Sequence, residues 1–117
     1  MKKILIVEDN ASTQAMLKVF LEEKGLAVES ALDGEEGLQK MKKFSPDLVL
    51  LDVMMPKLDG YGFLREIKKE PKWRSLPVIV LTAREMMRDV FVQEGVKDFV
   101  SKPYDPTELY NILCKYL

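Results

Sequence analysis

An α/β fold, built from five successive β-α units with a parallel sheet covered by helices on both faces, is predicted by three observations. Short continuous apolar runs alternate along the chain with segments whose apolar residues recur every three to four positions. The runs are rich in branched side chains and show no polar alternation, as strands buried on both faces require. The 117 residues form one domain, long enough to bury roughly two-thirds of the unfolded surface without a disulfide or structural metal.

The strands are expected at Ile4-Leu5-Ile6-Val7, Ala27 to Ala31, Leu48-Val49-Leu50-Leu51, Val78-Ile79-Val80-Leu81 and Lys97 to Ser101. Between them, Ala15, Met16, Val19 and Phe20 mark a first helix that Gly25 can end in a left-handed cap. Leu38, Met41 and Phe44 mark a second, opened by Asp33-x-x-Glu36 as a capping box and stopped by Pro46. Phe63, Leu64 and Ile67 mark a third, with Asp59 as its cap and Gly60 closing the preceding turn. Met86, Met87, Val90 and Phe91 mark a fourth, with Gly95 at its end. The last starts at Asp105 as N-cap with Pro106 in its first turn, and Leu109, Ile112, Leu113 and Tyr116 give its apolar stripe. Lys68 to Lys72 and Trp73 read as a solvated helix end and loop, and Cys114 as a packing residue.

Composition removes several chemistries. The chain has no His, which excludes Ser-His-Asp and Cys-His catalysis, His-ligated zinc and phosphohistidine carriers. One Cys cannot form an internal disulfide, and no apolar run approaches the eighteen or so residues that span a bilayer. With no signal-peptide pattern at the N-terminus, a cytoplasmic location and no membrane partner are expected. Eighteen basic against nineteen acidic residues leave a net charge of −1, so no direct nucleic-acid binding is expected.

In an open parallel sheet, ligands bind beyond the carboxyl ends of the strands. There the sequence places Glu8 and Asp9, Asp52, Thr82, and Ser101-Lys102-Pro103. Three converging carboxylates raise one another's pKa unless a cation neutralises them. Lys102 supplies one positive charge, and a hard divalent ion such as Mg²⁺ suits the remaining all-oxygen set. A carboxylate in that setting can attack a phosphoryl donor, with Lys102 and the Thr82 hydroxyl contacting the phosphoryl oxygens and small Ala83 leaving the approach open.

Five strings carry a resemblance: Ile6-Val7-Glu8-Asp9, Leu51-Asp52-Val53-Met54-Met55-Pro56, Asp59-Gly60, Leu81-Thr82-Ala83 and Phe99-Val100-Ser101-Lys102-Pro103. Over essentially the whole chain, residues 1–117, the sequence resembles the receiver domain of two-component response regulators. The resemblance implies a flavodoxin-like, doubly wound (βα)5 fold with a five-stranded sheet in the order 2-1-3-4-5. It further implies phosphorylation of Asp52 by a sensor histidine kinase or phosphotransfer protein, and Mg²⁺ bound by Asp9, Asp52 and the Met54 carbonyl, with Glu8 acting through water.

Thr82 and Phe99 are the implied switch, altering the surface of the fourth helix, fifth strand and fifth helix toward a downstream protein target. Phe99 stands where Tyr is frequent and so lacks a hydroxyl, and Glu8-Asp9 replaces an Asp-Asp pair. The expected protein is a monomer or a weak phosphorylation-dependent dimer that catalyses only its own phosphorylation and dephosphorylation, with no output domain in this chain. Met54, two residues past the phosphoacceptor, is expected to shield the site from water and prolong the phosphoryl lifetime.

Three other readings compete. A dehalogenase-type phosphatase needs an Asp where Met54 stands, and a nucleotide or flavin binder needs a Gly-rich cradle where Glu8 to Ser12 carries acid. A degenerate receiver that binds partners constitutively would have lost phosphorylation residues that are all present.

Overall fold

Strands β1 (Lys3–Val7), β2 (Ala27–Ala31), β3 (Leu48–Asp52), β4 (Val78–Thr82) and β5 (Asp98–Ser101) pair in parallel as one sheet in the order β2-β1-β3-β4-β5. The computed structural model describes residues 1–52, 60–82, 95–101 and 104–117, with the side chains of residues 60, 61, 82 and 101 outside that description. The expected fourth helix and the Asp59 cap therefore lie outside the described residues. Four α-helices are described: α1 (Ala11–Glu23), α2 (Gly34–Phe44), α3 (Gly60–Lys68) and a C-terminal helix (Pro106–Cys114).

The alternation of side chains along each strand divides the core into two layers. Leu5, Val7, Val49, Leu51, Val78 and Val80 pack with Met41 of α2 and Phe63, Leu64 and Ile67 of α3. Ile4, Ile6, Leu48, Leu50, Ile79 and Leu81 pack on the other face with Leu17 and Leu21 of α1 and Leu109 and Leu113 of the C-terminal helix. All of these side chains are fully buried. At about 1.5–3 kcal/mol for each large apolar side chain removed from water, they are the main force holding the helices to the sheet.

Register is set before the central strands begin. The Lys3 N–H donates to Asp47 Oδ2 at 2.8 Å, and the Asp47 N–H donates to the Lys3 carbonyl at 2.7 Å. This double tie aligns Ile4 with Leu48 and Val7 with Leu51, so one residue further on Glu8 comes level with Asp52. After β1 the chain goes to the edge at β2 and then crosses back to β3, so strand order reverses between β1 and β3.

Helix ends follow local chemistry. Asn10 caps α1 by accepting from the Thr13 N–H at 3.0 Å, and Gly25 follows that helix at a φ of +88°. Asp33 caps α2 by accepting from the Glu36 N–H at 2.9 Å. The return bond of the expected box shifts by one residue, because Glu36 accepts from the Leu32 N–H at 2.9 Å. Ser45 then turns left-handed, at a φ of +50°, ahead of buried Pro46. Asp105 caps the C-terminal helix by accepting from the Thr107 N–H at 2.8 Å.

Two expectations are corrected, for Trp73 and Cys114, and the face of α1 that turns inward is one that apolar spacing leaves open. The inward stripe of α1 is Leu17 and Leu21, whereas Ala15, Met16 and Val19 are exposed and Phe20 is half-buried. This helix is apolar over a broad arc, so periodicity shows a helix without choosing which side faces the sheet. Trp73 is buried, because a 3-10 turn over Pro71–Trp73 folds the indole against the core beside α3. Reciprocal bonds brace that turn, with Arg74 Nε donating to the Lys68 carbonyl at 3.1 Å and Lys68 Nζ to the Arg74 carbonyl at 3.0 Å. Cys114 is exposed, because Leu113 takes the inward position and the next residue lies about 100° around the helix. Ile112 and Tyr116 are half-buried at the margin of that stripe.

Leu17→Ala is expected to lower unfolding free energy by about 2–5 kcal/mol, and Val19→Ala by under about 1 kcal/mol, in urea titrations. Gly37 lies where α2 touches the sheet: an added Cβ would sit 2.9 Å from Phe63 Cε1 and 3.2 Å from Val7 Cγ2. Phe63 is fully buried and cannot withdraw. Gly37→Ala is therefore expected to destabilise by about 1–3 kcal/mol, overriding the roughly 1 kcal/mol helix-propensity gain of Ala over Gly.

Candidate functional site

The alternation that builds the core also builds the site. Ile4 and Ile6 face the layer of α1 and the C-terminal helix, and the same period carries Glu8 toward that face. Leu48 and Leu50 do the same for Asp52. With β1 and β3 in register, the two carboxylates meet at the carboxyl ends of adjacent strands, at the topological switch point.

Glu8, Asp9 and Asp52 each offer a carboxylate oxygen, and these oxygens lie within 4.8 Å of one another. Glu8 is 2% and Asp52 4% exposed, the two buried charged residues of the described core, while Asp9 is open to solvent. At an effective dielectric near 20, two charges 4.8 Å apart repel by about 3 kcal/mol, which gives this cluster a strong preference for a cation.

The donor set suits Mg²⁺. All three groups are hard carboxylate oxygens, the donor type that Mg²⁺ prefers. Asp9 leaves the cluster open to solvent on one side.

Hydrogen bonds to β2 and from α1 hold the turn after β1. The Glu8 N–H donates to the Ala31 carbonyl at 3.0 Å. The Gln14 side chain, one turn into α1, donates through Nε2 to the Ala31 carbonyl at 2.9 Å and the Glu8 carbonyl at 3.3 Å. Gln14 thus ties together the ends of β1 and β2 and fixes the backbone from which Glu8 and Asp9 project. No sequence motif singles it out, since its partners are backbone carbonyls brought together only by folding.

Tyr104 was equally silent in sequence. It follows β5 by three residues and packs against the Ile4, Ile6, Leu50 and Leu81 layer, on the same sheet face as Glu8 and Asp52. Its hydroxyl is sealed from solvent and has no hydrogen-bond partner among the described residues. Burial, then the negative charges of Glu8 and Asp52, push its pKa up to about 12.

The remaining expected residues divide by where they fall. Thr82 ends β4, where it pairs with Ser101 of β5. Its side chain lies outside the described residues, as do Met54, Ala83 and Lys102 entirely. Phe99 is half-buried against the opposite layer, the one containing Val80 and Trp73. Beside it, Asp98 accepts from the Phe99 N–H at 2.8 Å and from the Tyr116 hydroxyl at 3.1 Å, linking β5 to the end of the C-terminal helix. Among the described residues no helix is long and apolar enough to cross a membrane.

This acidic pocket at the switch point of a 2-1-3-4-5 sheet agrees with the comparisons. The sequence pattern of the response regulator receiver domain matches residues 4–114. The probable transcriptional regulator ycf27 of Porphyridium aerugineum is 44% identical over 110 residues, covering 92% of this chain and 45% of the relative. The chain thus spans less than half the length of that curated relative. Chemotaxis protein CheY4 of Vibrio cholerae superposes with a TM-score of 0.94 at 29% identity, covering 100% of this chain and 99% of that one. The response regulator TrrA of Thermotoga maritima, solved in complex with Mg²⁺-BeF, superposes with a TM-score of 0.88 at 34% identity over the full length of both chains. The chain belongs to the response regulator receiver domain family, with the CheY-like flavodoxin fold.

The raised pKa of Tyr104 has a definite sign. A tyrosine whose pKa rises on folding favours the native state fully below its unfolded value, near 10, and that contribution is lost as pH climbs through the folded value of about 12. In the cation-free protein, the urea midpoint of wild type is expected to fall more steeply between pH 10 and 12 than that of Tyr104→Phe. Paired titrations across that range check it.

Proposed function

We propose that this chain is a phosphorylation-dependent signalling switch that accepts a phosphoryl group on Asp52 from a phosphohistidine of a sensor kinase or phosphotransfer protein. The observation that carries this reading is the Asp52 carboxylate, 4% exposed at the end of the central strand and within 4.8 Å of Glu8 and Asp9 oxygens. Mg²⁺, when bound by Asp9, Asp52 and the Met54 carbonyl, with Glu8 acting through water, supplies positive charge opposite the phosphoryl oxygens.

An Asp52 carboxylate oxygen attacks phosphorus as the P–N bond to the donor imidazole breaks, its electron pair returning to the ring. The Lys102 ammonium and the Thr82 hydroxyl take up the equatorial oxygens as charge spreads over them. These 117 residues contain no His, so the donor imidazole lies outside them. Met54 covers the acyl phosphate from water.

The output is a two-state equilibrium biased by contacts made only in the phosphorylated state. Thr82 shifts toward the phosphoryl group, and Phe99, two strands from Asp52 along the sheet, turns further inward. The surface around β5 and the helices flanking it then changes its affinity for a downstream protein.

Incubation with acetyl phosphate and Mg²⁺ is expected to add one phosphoryl mass to the intact protein. Asp52→Asn and chelation by EDTA should each abolish the adduct, as read by mass spectrometry at neutral pH. Wild-type protein that takes no phosphoryl group from any donor would instead indicate a receiver that binds its partners constitutively.

A further inference from the structure

The last paired residue of β1 is Val7, which lies level with Ala31 of β2 and Leu51 of β3. Glu8 and Asp9 come after it, so two of the three clustered carboxylates project from a turn and only Asp52 projects from a strand. That turn is held at the Ala31 carbonyl, which accepts from the Glu8 N–H at 3.0 Å and from Gln14 Nε2 at 2.9 Å. The same Nε2 donates to the Glu8 carbonyl at 3.3 Å. One side-chain amide thus bonds the turn and the neighbouring strand end together, using its N–H groups.

Gln14 is itself placed by the first turn of α1. Its backbone N–H donates to the Asn10 carbonyl at 3.0 Å, and Asn10 caps that helix by accepting from the Thr13 N–H. The side chain is half-buried and uncharged, and its bonds go to backbone carbonyls. Its influence on the carboxylates therefore runs through the position of the turn and not through charge.

The position of the turn sets how far the Glu8 and Asp9 oxygens stand from those of Asp52. Hard divalent cations differ in how closely they hold their ligands to one geometry. Mg²⁺ demands near-ideal octahedral coordination at about 2.0–2.1 Å, whereas Ca²⁺ takes roughly six to eight oxygens at about 2.3–2.6 Å in flexible arrangements. A turn free to shift costs Mg²⁺ more than it costs Ca²⁺.

We propose that Gln14 is a positioning residue that favours Mg²⁺ over Ca²⁺ at the Glu8-Asp9-Asp52 cluster, by bonding the Glu8 and Ala31 carbonyls and so fixing the turn. This rests on reading the cluster as a cation site. Two donor-free variants test it: Gln14→Met, which keeps the side-chain length, and Gln14→Ala, which suits a helix. Gln14→Lys retains N–H donors and serves as the conservative control.

Calorimetric titrations with Mg²⁺ and with Ca²⁺ give the ratio of the two dissociation constants for each protein. Both ions carry two positive charges, so the charge introduced by Lys moves their affinities together and leaves the ratio in place. The preference for Mg²⁺ is expected to fall about two- to tenfold in the Met and Ala variants, the range that one net hydrogen bond gives, and to stay within about twofold of wild type in the Lys variant. A glutamine that merely supports the fold would lower the urea midpoint and leave the ratio unchanged.

Hydrogen exchange of the Glu8 amide, followed by NMR in cation-free protein, reads the turn directly. It is expected to quicken in the Met and Ala variants and to remain near the wild-type rate in the Lys variant. An unchanged ratio in the donor-free variants, or equal losses of affinity for the two ions, would overturn the role of Gln14 while leaving the cation site standing. Absence of binding of either ion by wild type would overturn both.

Discussion

Two carboxylates out of solvent, level with each other on adjacent strands, are the constraint around which this molecule is arranged. Glu8 and Asp52 could have been placed at the surface for no cost, yet each continues a run of fully buried strand residues. Their proximity follows from the β1–β3 register, which the reciprocal Lys3–Asp47 bonds fix at the far end of both strands. A slip of one residue would turn either carboxylate to the other face of the sheet and dismantle the pocket. The hydrophobic pattern therefore does two jobs, since the alternation that keeps Ile4 and Ile6 in one layer also orients Glu8.

The side chains of Gln14 and Asn10 hold the backbone beside Glu8. Gln14 reaches from α1 to two strand-end carbonyls, and Asn10 starts that helix two residues past Glu8. The turn carrying Glu8 and Asp9 is thus anchored at β2, at β1 and at the helix that follows. Such anchoring fixes the backbone from which Glu8 and Asp9 project.

The two core layers give the fold two distinct sides. Tyr104 and the carboxylates belong to the layer of α1 and the C-terminal helix, whereas Phe99 packs into the layer of Trp73 and α3. Residues 99 and 104 are close in sequence but pack on opposite faces of the sheet. Asp98, bonded to the Tyr116 hydroxyl, couples the edge strand to the final helix.

Strand content, the α/β class and the acidic cluster were legible from residue order, because buried parallel strands leave unbroken branched runs and their carboxyl ends are fixed points of the topology. Residues 8, 9 and 52 could be brought together on paper for that reason. The facing of α1 could not, since Ala15, Met16 and Val19 are as apolar as Leu17 and Leu21 and only the neighbouring helix and sheet choose between them. Trp73 was misread because polar neighbours flank it, and a short turn carries the ring inward regardless. Cys114 was misread because one residue of helical phase separates it from Leu113. Gln14 and Tyr104 lay beyond sequence reasoning altogether. The sequence by itself determined which segments are strands and which acids stand at their ends, because those properties are local and periodic. Tertiary structure alone decided which helix face is buried and which polar atoms meet or miss a partner, because those depend on distances between segments far apart in the chain.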